Sequence, residues 1–327
     1  MLPVSGKENV KQFFIVSVYM GISAIFFAAV LSDDTERRLA IIKNGYIIAA
    51  VLGSIMGLIG YFNIAGMAEA WAPIQRAQGT FKDPNVLSTF IIAPAIFLIQ
   101  DFLLGRQKWP ISAGIGLVII IAALFFAFSR GAWVSAIMSG VMLVGLMFIL
   151  TPSPSLRSRI VLLCIFGVIM LVVLFFIAMS FESIRSLLLE RANLVNSYDG
   201  GERGRFGNQL RSLPLLMESY NGLGPHEFAK KFGQDPHNVY LNGFSAYGWL
   251  GGFSYILLIV STIMIGAKTM FTRTPWQWFS VAVGAPLFFT ILQGIQIDTD
   301  HWRHFYLLLG MMWGLYAATV KYQNQSR

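Results

Sequence analysis

The sequence predicts an all-α polytopic membrane protein, a helical bundle of about nine transmembrane helices with one long, partly helical loop on the periplasmic side. Composition is the first ground: 56% of the 327 residues are hydrophobic and 12% charged, with a mean hydropathy of +0.64, a balance foreign to water-soluble domains. The second is length, because the apolar runs approach the roughly 20 residues that cross a hydrocarbon core of about 30 Å. The third is continuity. A closed β-barrel would need short alternating strands, and these runs do not alternate.

Taken in order, the expected spans lie near 13–31, 41–62, 86–104, 111–128, 132–150, 160–180, 243–266, 277–295 and 304–320. Basic residues sort their connections. Arg37, Arg38 and Lys43 follow the first span, Arg106 and Lys108 the third, Arg157 and Arg159 the fifth, and Lys268 and Arg273 the seventh, with Lys321 and Arg327 in the tail. These connections read as cytoplasmic. The opposite side receives the loop at 63–85, the junction around Arg130, the segment 181–242 and the loop at 296–303. Segment 181–242 holds seven Lys/Arg against seven Asp/Glu, and long translocated loops are largely exempt from the charge rule. An odd number of spans with the tail inside puts the N-terminus outside, whereas Lys7 and Lys11 favour it inside. No small-residue cleavage site follows the first apolar run, so a removable signal peptide is not expected. Cys164 is the only cysteine and lies within a span, which excludes an intrachain disulfide. The whole chain, 1–327, reads as a single membrane domain containing the loop 181–242.

Four polar constellations fall on the far side. In "RAQGTFKDPN", 76–85, Gly79 permits a turn, Asp83-Pro84 stops one, and Asn85 is positioned to cap the next helix, with Arg76 just before the turn. In "FSRGAW", 128–133, Arg130 interrupts a long apolar stretch, and a charge at a membrane boundary is a functional candidate by default. The third constellation is the long segment, with Arg203, Arg205 and Arg211 in "GGERGRFGNQLR", then "GLGPHEF" at 222–228 and "DPHNVYL" at 235–241. Guanidinium forks match phosphate oxygens bidentately. His237, after Pro236 and beside Asn238, stands at the expected start of a helix, where an imidazole can serve as a general base near neutral pH. The fourth is "DTDHWRH", 298–304. Asp298 and Asp300 form an acidic pair of the kind that holds a divalent cation, and His301 and His304 are one helical turn apart. The alternative there is an interfacial Trp302 with capping and ion-paired neighbours such as Arg303. Other machinery is absent from the sequence: no P-loop, dinucleotide glycine pattern, HExxH or CxxC pair occurs. "HEFAK" at 226–230 lacks a second histidine, and no domain-scale repeat suggests an inverted-repeat transporter.

From about residue 70 onward, "RAQGTFKDPNVLSTF", "SRGAW", the Arg-rich stretch leading into "GLGPHEF", and "HNVYLNGFSAYGWLGG" together resemble the O-antigen ligase and O-antigen polymerase superfamily of bacterial membrane glycosyltransferases. The resemblance implies about a dozen spans, so the part missing relative to the nine found here would be N-terminal. It implies a multi-pass inner-membrane enzyme, active at the periplasmic face, that moves a glycan from an undecaprenyl diphosphate carrier to an acceptor hydroxyl. In a ligase the acceptor is a sugar of the lipid A core; in a polymerase it is another carrier-linked repeat. The ligase is the favoured branch, on "GLGPHEF…HNVYL". By the same resemblance His237 is the catalytic histidine, and Arg76, Arg130 and Arg205, with Arg203 as the alternative to Arg205, contact the diphosphate. Asn85, Asn238, Asp298, His301 and Arg303 are expected in support. No metal and no other cofactor is implied, and the partners are the two lipid-linked glycans and the bilayer, not nucleic acid.

Two other classes compete. A transporter for a small anion such as bicarbonate would use the arginines to select charge, but its binding groups would lie near the midplane, whereas these clusters map to one end of the spans. A non-catalytic partner that binds lipid-linked sugars would tolerate loss of His237 and not of the arginines.

Overall fold

The computed structural model describes residues 7–182, 185–186, 204–234 and 236–325. Among them all regular structure is helical: α1 (Lys7–Leu31), α2 (Thr35–Tyr61), α3 (Ala68–Trp71), α4 (Pro84–Phe90), α5 (Ile92–Leu104), α6 (Pro110–Phe126), α7 (Arg130–Leu150), α8 (Pro154–Met179), α9 (Arg205–Glu218), α10 (Glu227–Phe232), α11 (Val239–Phe271), α12 (Gln277–Gln293) and α13 (Arg303–Gln325). Every expected apolar segment is helical, but six helices, not nine, are long and apolar enough to cross a membrane: Val10–Leu31, Thr35–Tyr61, Pro84–Leu104, Arg130–Leu150, Pro154–Ile177 and Val239–Phe271. α6 and α12 are apolar but reach only 17 residues each. α13 covers the last expected span and ends on the polar "KYQNQ".

The chain divides into two compact units. One comprises Glu36–Leu194 and Pro275–Pro286, hence most of α2, all of α3 to α8, and the start of α12. Its core includes Ala50 of α2, Leu87 of α4, Ile91, Ala95 and Leu98 around α5, and Ile120 and Ala123 of α6. The expected span 86–104 is two helices with the junction at Ile91, whose N–H still bonds Leu87 O. In the same unit Lys43 pairs with Asp101 at 2.6 Å, both side chains nearly buried, and Lys43 also lies over the Phe279 ring.

The other unit comprises Met1–Thr35, Val195–Thr274 and Leu287–Arg327. α1 packs along α13 because α13 offers glycines one turn apart, Gly310 and Gly314, to Ala24 and Ala28 of α1. A Cβ on Gly314 would sit 2.8 Å from Ala28 O. Small residues at this spacing let two apolar helices approach backbone to backbone, which is how helices associate without a hydrophobic driving force between them. The expected span 243–266 is not one unbroken helix: Gly248 in α11 takes φ 72°, ψ −170°. The loop before α10 docks into that break. Trp249 N–H donates to Tyr220 O, and Leu223 and Gly224 N–H both donate to Ser245 O. Gly222 and Gly248 face each other there, and a Cβ on Gly248 would lie 2.5 Å from Tyr220 O. The glycines of "GLGP" and "AYGW" thus meet in space.

Candidate active site

In the first unit the segments carrying Arg76 and Arg130 come together. Ala77 N–H donates to Phe126 O, and Arg76 Nε donates to Ala127 O at 2.7 Å while its Nη2 donates to Asn85 Oδ1 at 3.1 Å. Two directional bonds therefore orient the Arg76 guanidinium. Arg130 follows Ser129 as the first residue of α7, after a sharp reversal in which Phe128 takes φ 46°. Trp133, one turn on, donates its indole N–H to Leu124 O and stacks on Phe125, which clamps the α6–α7 reversal. Gly79 supplies the expected left-handed turn residue, φ 61°. The cap differs from expectation. Asp83, not Asn85, caps α4, accepting from Asn85 and Val86 N–H, with Pro84 at the first helical position. Asn85 is thereby free of capping duty and serves Arg76 instead.

In the second unit, His237 sits just before the helix, with φ 47°, and Asn238 caps α11 by accepting from Tyr240 and Leu241 N–H. The loop after α12 holds this turn from the other side. Asn238 N–H donates to Asp298 Oδ1 at 3.2 Å, and Val239 N–H donates to Gly294 O at 2.8 Å. α9 holds it from a third direction, since Gln209 Nε2 donates to Pro236 O at 2.7 Å. Asp298 and Asp300 do not converge on a common point. Asp300 accepts from Asn242 Nδ2 at 3.2 Å, and its carboxylate lies 3.1 Å from His301 Nδ1. Among the described residues no group of three acidic, histidine or cysteine side chains could hold a metal ion. His304, expected beside His301, is buried within α13.

Arg205 opens α9 after Gly204, and Arg303 opens α13 and is exposed. Arg203 lies outside the described residues. Sequence reasoning missed one polar cluster: Ser17 of α1 shares a 2.8 Å hydrogen bond with Tyr247 OH and approaches His301 Nε2 at 3.5 Å, with Phe13 packed on the His301 ring at 4.5 Å. Its only sequence signal is a serine and an aromatic one turn apart in an otherwise apolar helix. The site residues therefore form two local assemblies, Arg76–Asn85 beside the Arg130 turn in one unit, and the His237–Asn238–Asp298 turn in the other. No protein-family model matches the chain, and no curated protein matches it.

Proposed function

We propose that the protein is a membrane glycosyltransferase that joins a glycan, carried on undecaprenyl diphosphate, to a sugar hydroxyl of the lipid A core at the periplasmic face of a bacterial inner membrane. The observation that carries this reading is the hydrogen-bonded pairing of the Arg76 loop with the Arg130 turn at one end of apolar helices. A polyprenyl diphosphate has a tail that belongs in lipid and a head with two anionic phosphates, so paired cationic groups at a helix-bundle end suit it. All nine apolar helical segments serve as spans in this reading, and segment 181–242 is periplasmic.

In the reaction the resemblance implies, positive charge, assigned by it to Arg76, Arg130 and Arg205, stabilises the diphosphate as the bond between the sugar anomeric carbon and phosphate oxygen breaks. The acceptor oxygen forms the new bond to that carbon, and His237 takes the acceptor proton. The hydrogen bonds from Asn238 to Asp298 and from Gln209 to Pro236 flank His237 and fix its backbone, so their role is positioning. Purified protein incubated with carrier-linked glycan and lipid A core tests the proposal. Glycan on the core supports it, glycan lengthened on its carrier indicates a polymerase instead, and carrier binding without transfer indicates a non-catalytic glycolipid-binding partner.

A further inference from the structure

α9 is amphipathic in the wrong sense for a helix surrounded by water. Its exposed face carries Phe206, Leu210, Leu213 and Met217, with fractional exposures of 48, 69, 42 and 67%. Steps of four, three and four residues put these side chains on one helical stripe. The inward face carries polar Asn208 and Ser212, 3 and 0% exposed, with Leu216 buried and Leu215 half-buried beside them. Asn208 Nδ2 donates to Phe232 O, Ser212 Oγ donates to Gln209 O, and Gln209 reaches Pro236. The buried polar side chains are thus engaged by the protein and the apolar stripe is turned outward, with Arg211 and Glu218 also at the surface.

The C-terminal end of α9 meets α11. Trp249 of α11 donates its indole N–H to Leu216 O, and Tyr220, 67% exposed, packs edge-on against the same indole. Beyond Trp249, Leu250, Phe253 and Leu257 are 83, 57 and 68% exposed on a helix apolar enough to cross a membrane. The end of α9 thus lies against a helix with an exposed apolar face and enough length and apolarity to cross a membrane. Trp249 and Tyr220 beside α9 are the residue types enriched where hydrocarbon meets headgroups. With 14 residues, α9 is too short to span.

We propose that α9 is an in-plane helix whose Phe206–Leu210–Leu213–Met217 face is buried in the outer boundary of the bilayer, so that the lipid surface itself anchors the turn bearing His237 through Gln209 and Pro236. The occupant is the acyl region of membrane phospholipid. The proposal does not depend on glycan transfer.

The test is site-directed fluorescence on the full chain with Cys164→Ser, reconstituted in phospholipid vesicles, with an environment-sensitive label on single cysteines placed by Leu210→Cys, Met217→Cys, Leu257→Cys and Lys231→Cys. Leu257 reports embedding of α11, and Lys231 is the aqueous reference. The labels at 210 and 217 are expected to shift to the blue and to lose about half their intensity to lipids with a nitroxide high on the acyl chain, as a helix at the interface requires, while the label at 231 is quenched by aqueous iodide. Iodide quenching of 210 and 217 to the level of 231, with 257 quenched by nitroxide lipid, would overturn the proposal. A blue shift at 210 and 217 without nitroxide quenching would overturn it too, since the cover would then be protein.

Discussion

At the residue scale, the account depends on a few polar side chains whose hydrogen bonds give each a distinct task. His237→Ala is expected to abolish glycan transfer while leaving membrane insertion intact, as measured by product formation on one hand and membrane-fraction yield on the other. Asn85→Ala removes the acceptor that orients Arg76 Nη2, and loss of orientation at a charged contact is expected to cut transfer about tenfold, with thermal stability in detergent little changed. Asp83→Ala should do the reverse: it deletes the α4 cap and costs about 1 kcal/mol of stability. The sequence made Arg130 visible as a charge in apolar surroundings, and Arg76 and Asn85 as members of the polar turn RAQGTFKDPN. The expected cap is Asn85, although Pro84, a residue type favoured at the first helical position, already points to Asp83 as the cap. The sequence did not show that Asp298 and Asp300 would serve different turns of α11, since adjacent carboxylates in a loop read alike until their donors are known.

At the element scale, long apolar runs made the helices legible because the signal is summed over many residues, and every expected segment is helical. Their interruptions were not legible. Gly248 breaks α11 only because the 220–224 loop donates and accepts at the break, and that partner is distant in sequence. Gly248→Ala is expected to destabilise by about 2 kcal/mol or more, since it forces a Cβ onto Tyr220 O from a left-handed backbone; a lowered midpoint of thermal unfolding in detergent would show it. The pairing of α1 with α13 was also hidden, although "GMMWG" at 310–314 carries the small-residue spacing that permits it. The stripe 206/210/213/217 was present in the sequence as well, masked by arginines that drew attention to charge. Asp101→Ala would leave Lys43 as a nearly buried charge without its carboxylate, and a loss of about 3–5 kcal/mol is expected, read as the same thermal midpoint.

At the scale of the whole molecule, six helices among the described residues are long and apolar enough to cross a membrane, and the candidate site residues lie in loops and at helix ends. In the proposed reading, a lipid-linked anionic donor presents its reacting bond where hydrocarbon gives way to water, and polar residues at helix ends are the ones suited to meet it there. The most direct measurement is transfer by the detergent-purified protein from undecaprenyl-diphosphate-linked glycan to lipid A core, with chelator present and no metal added, comparing wild type with His237→Ala. Glycan on the core with the wild type alone is the predicted result. Equal transfer by both proteins, or none by the wild type while it still binds the carrier, would contradict the account.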